Sequence, residues 1–198
     1  MFFVILILGT IKIGGQCVIS ALNHHQPFIN KGGSMSKIDE GPTIGLAGKY
    51  LTFRLADEEY CLEILKVREI IGVMPITSLP RTSVFVRGVI DLRGRIIPVI
   101  DLRRKFELEA AQDTGQTCII VVDVTGNAGN IQVGILVDSV SEVLDIKGAD
   151  IEEPPAFGTN VDTAFILGMA KTKGSVKIML NIEKVLSPAE LEHVEGIS

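Results

Sequence analysis

The feature that most restricts the fold of this chain is a pair of apolar runs, residues 86–92 and 95–102, separated only by Arg93-Gly94. Most apolar residues in the two runs are β-branched, which favours extended strands. Glycine readily adopts the positive φ that a tight turn requires. The stretch VFVRGVIDLRGRIIPVIDLRRK (84–105) therefore predicts an antiparallel hairpin, around which the rest of the chain is organised.

Two further details concern the setting of this hairpin. Because Pro98 has no amide hydrogen, we expect its strand to lie at a sheet edge or to be bulged there. Arginines decorate the otherwise apolar runs, and two interpretations of them are open: a solvated rim or a docking surface. These arginines are Arg87, Arg93, Arg95, Arg103 and Arg104.

Short apolar runs separated by turn residues continue along the chain. Alternating apolar and polar residues on both sides of a polar turn at residues 56–59 predict a second hairpin over residues 50–64. Residues 64–71 fit either a short helical turn or an irregular strand, and residues 81–85 fit one helical turn. Residues 107–116 are polar and are predicted to form a loop.

The second half of the chain has the same character. Residues 118–124 are continuously apolar, which predicts a strand buried on both faces. A Ser-Pro-Ala-Glu sequence at residues 187–190 has the pattern of a capping box and predicts a short helix that ends near Val194. Further predicted strands are residues 131–137, 140–146, 165–170 and 176–180.

Altogether the pattern predicts about nine or ten short, closely spaced strands. Such spacing is typical of a β-sandwich or of small barrels, and it argues against a doubly wound α/β sheet. The hairpins before and after residue 110 nearly repeat each other. The sequence therefore predicts a mainly β protein with two small barrels that share a core.

Residues 1–34 differ from the rest of the chain. Their opening octet, MFFVILIL, is shorter than the about 20 apolar residues that span a bilayer and lacks the basic flank of a secretory signal. Three interpretations are open: translation that starts at Met35, a disordered tail and a membrane anchor. Residues 35–48 are rich in Gly, Ser and Pro and are predicted to be a leader or linker.

Composition excludes several classes of function. The 198-residue chain has a net charge of −5 and no Trp, which argues against a protein that binds phosphate backbones or stacks nucleic-acid bases. Its three cysteines, Cys17, Cys61 and Cys118, are too far apart to suggest a disulfide framework or a metal site. They are expected to be small core residues of a cytosolic protein.

Catalytic motifs are weak. The Asp-Thr-Gly triplet at residues 113–115 resembles that of aspartic proteases, but a polar segment precedes it where a buried strand would be needed. His24, His25 and His193 lie in predicted terminal segments. Four aspartates that follow apolar strands are either ordinary turn residues or a metal or phospho-acceptor cluster, which would suit a small β-barrel enzyme. They are Asp91, Asp101, Asp123 and Asp138.

A more specific pattern is distributed over four segments. They are DEEYCLEILKVREI (57–70), VRGVIDLRGRIIPVIDLRRKF (86–106), VGILVDSVSEVLDI (133–146) and ILGMAKTKGSVKIMLNIEKVL (166–186). Together they resemble the CheW family of bacterial chemotaxis coupling proteins, over roughly residues 49–194. The arrangement RG-x3-LRG-x3-P-x2-DLR carries most of this resemblance.

The resemblance implies two small five-stranded, SH3-like β-barrels packed around a shared core, with short helical turns and a short C-terminal helix. It implies an adaptor without catalytic activity, cofactor or metal. Its partners would be the regulatory domain of the histidine kinase CheA and the cytoplasmic tip of methyl-accepting chemoreceptors, with no nucleic acid. The protein would be cytoplasmic and recruited to membrane-associated receptor arrays, without direct membrane insertion. The family domain would span residues 49–194, between a non-family extension (1–34) with its linker (35–48) and a tail (195–198).

The resemblance also implies a receptor groove beside the first barrel, with matching positions at Val67, Glu69, Gly88 and Arg93. Val67 would supply apolar contact area and Gly88 would allow close backbone approach, although ordinary core and turn roles are the alternatives. Glu69 and Arg93 would form an ion pair, for which Asp91 could compete. The matching positions for the kinase are Val137, Asp138, Val140 and Val143.

Overall fold

The computed structural model describes residues 44–126, 129–155, 164–172 and 174–196, and predictions for earlier residues lie outside this part of the chain. The described residues contain eleven strands and three short α-helices. The strands are β1 (Gly48–Leu55), β2 (Glu58–Glu63), β3 (Val67–Gly72), β4 (Val86–Leu92), β5 (Arg95–Asp101), β6 (Cys118–Gly126), β7 (Gly129–Val137), β8 (Ser139–Ile146), β9 (Ile151–Glu152), β10 (Ile166–Thr172) and β11 (Ser175–Leu180). The helices are α1 (Leu102–Lys105), α2 (Ile182–Val185) and α3 (Pro188–Glu195).

The strands form two sheets, of which one is inserted into the other. The first has six strands in the order β8-β1-β2-β11-β10-β9, and the second has five in the order β3-β6-β7-β5-β4. The chain leaves the first sheet after β2 and returns to it at β8. The predicted mainly β architecture of two small units is confirmed, although one sheet has six strands and neither closes fully into a hydrogen-bonded barrel.

Each sheet wraps around an apolar cluster of its own, and a larger cluster lies between them. Ile90, Ile97 and Val121 belong to the cluster of the five-stranded sheet. Tyr50 and Met179 belong to that of the six-stranded sheet. The third and largest cluster takes residues from both sheets and from all three helices, and this confirms the predicted shared core.

The central hairpin forms as predicted. Arg93 and Gly94 connect β4 to β5 with φ values of 56° and 82°, respectively. Paired positive φ values are typical of the tight turns that join twisted strands. The amide of Gly94 donates a hydrogen bond to the Asp91 side chain at 2.7 Å, which fixes the turn further.

The prediction for Pro98 is wrong in both of its alternatives. Its strand β5 is not an edge, because it lies between β4 and β7. The parallel ladder to β7 begins at Val99, so Pro98 stands just before the point where amide donors on that side are needed. The register shift in this hairpin falls between Val86 and Gly88, away from Pro98.

Other local predictions have mixed outcomes. Residues 64–66 form a 3-10 turn and β3 follows, so both alternatives for that stretch occur in succession. Residues 81–85 do not form a helical turn, and Arg81 has a φ of 62°. The capping box of Ser187 and Glu190 is confirmed at the start of α3. The short helices α1 and α2 were not predicted; Asp101 and Asn181 cap them.

Both cysteines in the described part of the chain lie in the apolar interior. Cys61 and Cys118 are buried and form no disulfide, and burial raises the pKa of the Cys61 thiol to about 12. Within the described residues, the helices are all too short or too polar to cross a bilayer.

The shared core leads to a stability prediction that uses two isoleucines of β5. Ile100 is 0% exposed and belongs to the shared core, whereas Ile96 is 48% exposed. We expect Ile100→Ala to lower the free energy of unfolding by about 2–5 kcal/mol, because it removes buried methyl groups and leaves a cavity. Ile96→Ala should cost about 1 kcal/mol or less. Urea denaturation measures both values, and equal losses would contradict this placement of the core.

A second prediction concerns pH. Glu59 on β2 accepts a hydrogen bond from Lys177 on β11, whose side chain is buried, and this bond lowers the pKa of Glu59 below its ordinary value of 4.5. A carboxylate whose pKa is lowered in the folded state stabilises the fold fully at pH values above its ordinary pKa. This contribution is lost as the pH falls from the ordinary pKa through the lowered, folded-state pKa.

We therefore expect the thermal midpoint of Glu59→Gln to fall less steeply than that of the wild type between roughly pH 7 and pH 3. The exposed neighbour Glu58 provides the control, since Glu58→Gln should keep the steep wild-type dependence. The prediction is wrong if Glu59→Gln and the wild type lose stability in parallel.

Candidate functional site

The two edges of the five-stranded sheet are joined by an ion pair. β3 and β4 stand at opposite ends of the strand order, yet Glu69 of β3 meets Arg93 at the end of β4. Arg93 Nη2 donates to Glu69 Oε2 at 3.1 Å. The Arg93 side chain is 54% exposed and that of Glu69 only 12%, so the carboxylate is shielded beneath the guanidinium. The predicted ion pair is therefore present, and it bridges the sheet edges.

The backbone segment that follows β3 also reaches the β4 edge. Thr77 and Val89 exchange two backbone hydrogen bonds of 2.9 Å each. Gly88 lies beside this contact with a φ of 143°. A Cβ atom at Gly88 would lie 2.2 Å from the Thr77 carbonyl oxygen, too close for any real contact. We call Glu69, Thr77, Gly88, Val89 and Arg93 the seam.

The close backbone approach expected at Gly88 is therefore made by Thr77 of the same chain. Only glycine fits there, because a side chain would clash and because positive φ is strained for other residues.

Val67 differs from the other predicted receptor residues because its side chain is buried. It is 7% exposed, belongs to the shared core and lies opposite Val122 on β6. The alternative interpretation of Val67 as a core residue describes its packing. Little apolar area of Val67 reaches the surface beside the seam.

Asp91 does not compete for Arg93 in this structure. Its Oδ1 accepts the bond from the Gly94 amide, whereas Arg93 pairs with Glu69. The two carboxylates thus have separate roles: one fixes the turn and the other holds the arginine.

The predicted kinase-binding residues lie where β7 passes into β8. Val137 is 1% exposed and Val140 is 9% exposed, so both are core residues. Asp138 accepts hydrogen bonds from Arg103 Nε at 2.6 Å and from the Ala56 amide at 2.7 Å.

The bond to Asp138 raises the pKa of Arg103 above its ordinary value. Asp138 therefore ties α1 to the β1–β2 turn. Val143 is partly buried and packs against the shared core.

The strand-end aspartates do not come together. Asp101 accepts a hydrogen bond from the Arg104 amide at 3.3 Å, and Asp123 pairs with Arg68. With Asp91 and Asp138, each thus has a partner of its own. In the described part of the chain, no three His, Cys, Asp or Glu side chains are placed to hold a metal ion. The geometry fits the interpretation of these aspartates as turn residues.

Two contacts of this region were missed by sequence reasoning. Thr77 lies in a loop between prolines and has no periodic pattern that would predict its pairing with β4. The Arg103–Asp138 pair joins residues that are 35 positions apart. No motif or periodicity in the sequence indicates this pairing.

Comparison with known proteins gives a consistent result. The model of the CheW-like domain family matches residues 49–190, from β1 into α3. The chemotaxis protein CheW of Klebsiella aerogenes is 37% identical over 158 residues, which cover 80% of this chain and 92% of that protein. The chemotaxis protein CheW of Rhizobium meliloti is 33% identical over 142 residues, which cover 72% and 89%.

A solved structure agrees with the sequence matches. The scaffolding protein TtCheW from Thermoanaerobacter tengcongensis is 37% identical, with a TM-score of 0.65. The match covers 73% of this chain and 97% of that one. The likeness thus extends to the arrangement of the strands as well as to the sequence.

The seam predicts a destabilised Gly88→Ala variant. The added Cβ must displace Thr77, and positive φ is costly for alanine, so we expect a loss of unfolding free energy on the order of 1–3 kcal/mol. Gly72→Ala is the control: Gly72 ends β3, and its Cβ would meet nothing within 4 Å. Amide hydrogen exchange at Thr77 and Val89 should accelerate only in Gly88→Ala. Unchanged protection there would contradict the seam contact.

Proposed function

The chain belongs to the CheW family, and from this membership we propose that it is a non-enzymatic adaptor that couples transmembrane chemoreceptors to the histidine kinase CheA. Relatives across the same domain are named as chemotaxis proteins, and a solved relative is named as a scaffolding protein. The adaptor would work in the cytoplasm, at receptor arrays on the membrane. Its domain would comprise residues 49–194, with residues 35–48 as a linker and residues 195–198 as a tail.

The observation that carries the receptor part of this proposal is the Glu69–Arg93 ion pair. The pair forms as expected from the family pattern, and its arginine is half exposed. An ion pair at the surface contributes only about 0–1 kcal/mol to stability, so its value lies in geometry. Glu69 fixes the guanidinium through one of five N–H donors, and the remaining donors can bind a carboxylate of the receptor.

The four positions of the family pattern would have different roles in the receptor surface. Arg93 makes the direct polar contact, and Glu69 orients it. Gly88 holds the Thr77 segment against β4, which sets the shape of the surface. Val67 supports β3 from the core side.

For the kinase, we propose a contact at the corner between β7 and β8. Val143 retains exposed area and would touch the regulatory domain. Val137, Asp138 and Val140 would hold the corner in place through their core and hydrogen-bond contacts. A similar β domain in the kinase could pair with this corner sheet to sheet.

The receptor contact is tested by reversing the charge of Arg93. We expect Arg93→Glu to weaken binding to a receptor cytoplasmic fragment by roughly tenfold or more. The thermal midpoint should fall only slightly, because the Arg93 side chain is half exposed and solvent screens the new charge. Isothermal titration calorimetry with the full chain measures the binding.

Two variants sharpen this test. Lys171→Glu makes the same charge change at a side chain of similar exposure on the six-stranded sheet, and it should bind like the wild type. The double exchange Glu69→Arg with Arg93→Glu rebuilds the ion pair with reversed polarity and should not restore binding. If Arg93→Glu binds normally, the receptor contact is elsewhere; if it unfolds, Arg93 is structural.

A further inference from the structure

We infer that Ile96 supplies the apolar contact of the receptor surface, where it meets an apolar side chain flanked by a carboxylate on the helical tip of the receptor. This inference rests on the proposed function and adds to it a residue outside the family pattern. Its starting point is that the proposed receptor residues offer an exposed charge but almost no exposed apolar area. The seam offers an exposed arginine, but Val67 offers almost no apolar area.

Ile96 has the exposure that Val67 lacks. It is 48% exposed and is the third residue after Arg93, on the strand that leaves the same turn. Its partner in the β4–β5 ladder is Asp91, which is also the residue that caps the turn. Ile96 therefore stands beside the tip of the hairpin from which Arg93 reaches Glu69.

The hairpin presents Ile96 rigidly. The next residue, Ile97, is 2% exposed and anchors the strand in the apolar cluster of the five-stranded sheet. Isoleucine is also restricted in its χ1 angle because it is β-branched. A side chain that is already ordered loses little conformational freedom on binding, so more of the contact energy appears as affinity.

The charges around Ile96 favour an acidic neighbour on the partner. Arg93 and Arg95 are exposed. Of the two nearby carboxylates, Glu69 is shielded beneath Arg93, whereas Asp91 is exposed and keeps its charge while it accepts from the Gly94 amide. The two exposed cations therefore still outnumber the one exposed carboxylate. An apolar residue with a cationic rim is complementary to an apolar residue beside a carboxylate, and such centres dominate many interfaces.

The protein contains a matched position for comparison. Isolated exposed apolar residues are common on protein surfaces, so exposure alone identifies no contact. Val176 is 49% exposed and follows Gly174 by two residues, just as Ile96 follows Gly94. Both glycines have φ values near 80°. Val176 lies on the other sheet, where the adjacent Lys177 is buried and bound to Glu59.

The experiment compares Ile96→Thr with Val176→Thr in the full chain. Threonine keeps β-branching and strand preference, so both variants should retain the wild-type thermal midpoint. Calorimetric titration with a receptor cytoplasmic fragment gives the affinity. We expect Ile96→Thr to weaken receptor binding by about fivefold or more and Val176→Thr to leave it unchanged. Binding of the kinase regulatory domain should be unchanged in both.

Other results overturn the inference in distinguishable ways. If the wild type binds the receptor fragment and Ile96→Thr binds it equally well, Ile96 is not the contact although the proposed function stands. Equal weakening by both threonine variants would show a general effect of surface polarity. If the wild type itself does not bind, the proposed receptor function fails first. Should Ile96→Thr lose its folded signal, Ile96→Val provides the same comparison with one methyl group fewer.

Discussion

The shared apolar core is the constraint on which the rest of this structure depends. Each sheet is small, and the cluster between them is larger than the cluster inside either one. A row of stacked rings runs through it, in which Phe53, Tyr60, Phe106 and Phe165 follow one another at centroid distances of 5.9, 5.8 and 4.9 Å. Each sheet buries one face in its own cluster and the other face in the shared core, so neither sheet can bury both faces without the other.

The chain path follows from this constraint and determines where the two sheets are joined. Since β3 to β7 form an insertion between β2 and β8, the polypeptide crosses between the sheets at both ends of the insertion. At the second crossing, Asp138 binds Arg103 and the Ala56 amide and so fixes the two sheets relative to each other. The seam lies at the opposite edges of the inserted sheet. The protein therefore presents one surface at the seam and another at the crossing.

The parts of this arrangement that depend on local sequence could be predicted. The central hairpin follows from β-branched runs and a glycine, and the start of α3 follows from Ser187 and Glu190. The Glu69–Arg93 pair was predicted from a family pattern, since the two residues are 24 positions apart and nothing in their spacing implies contact.

The parts that depend on tertiary packing could not. Alternation along β3 does not reveal that Val67 faces a second sheet. A proline predicts an edge strand unless the start of the neighbouring ladder is known. The contacts of Asp138 with Arg103 and the Ala56 amide join segments that are far apart in the sequence, so no local pattern predicts them. The exposure of Ile96 likewise depends on how far β5 extends beyond β7.

The most direct test of the adaptor function is a reconstitution from purified CheA, a receptor cytoplasmic fragment and the full chain. We expect the kinase to co-purify with the receptor only when the chain is present. Kinase autophosphorylation should then respond to the receptor. A kinase that ignores the chain, or a receptor complex that recruits the kinase equally well without it, would contradict the account.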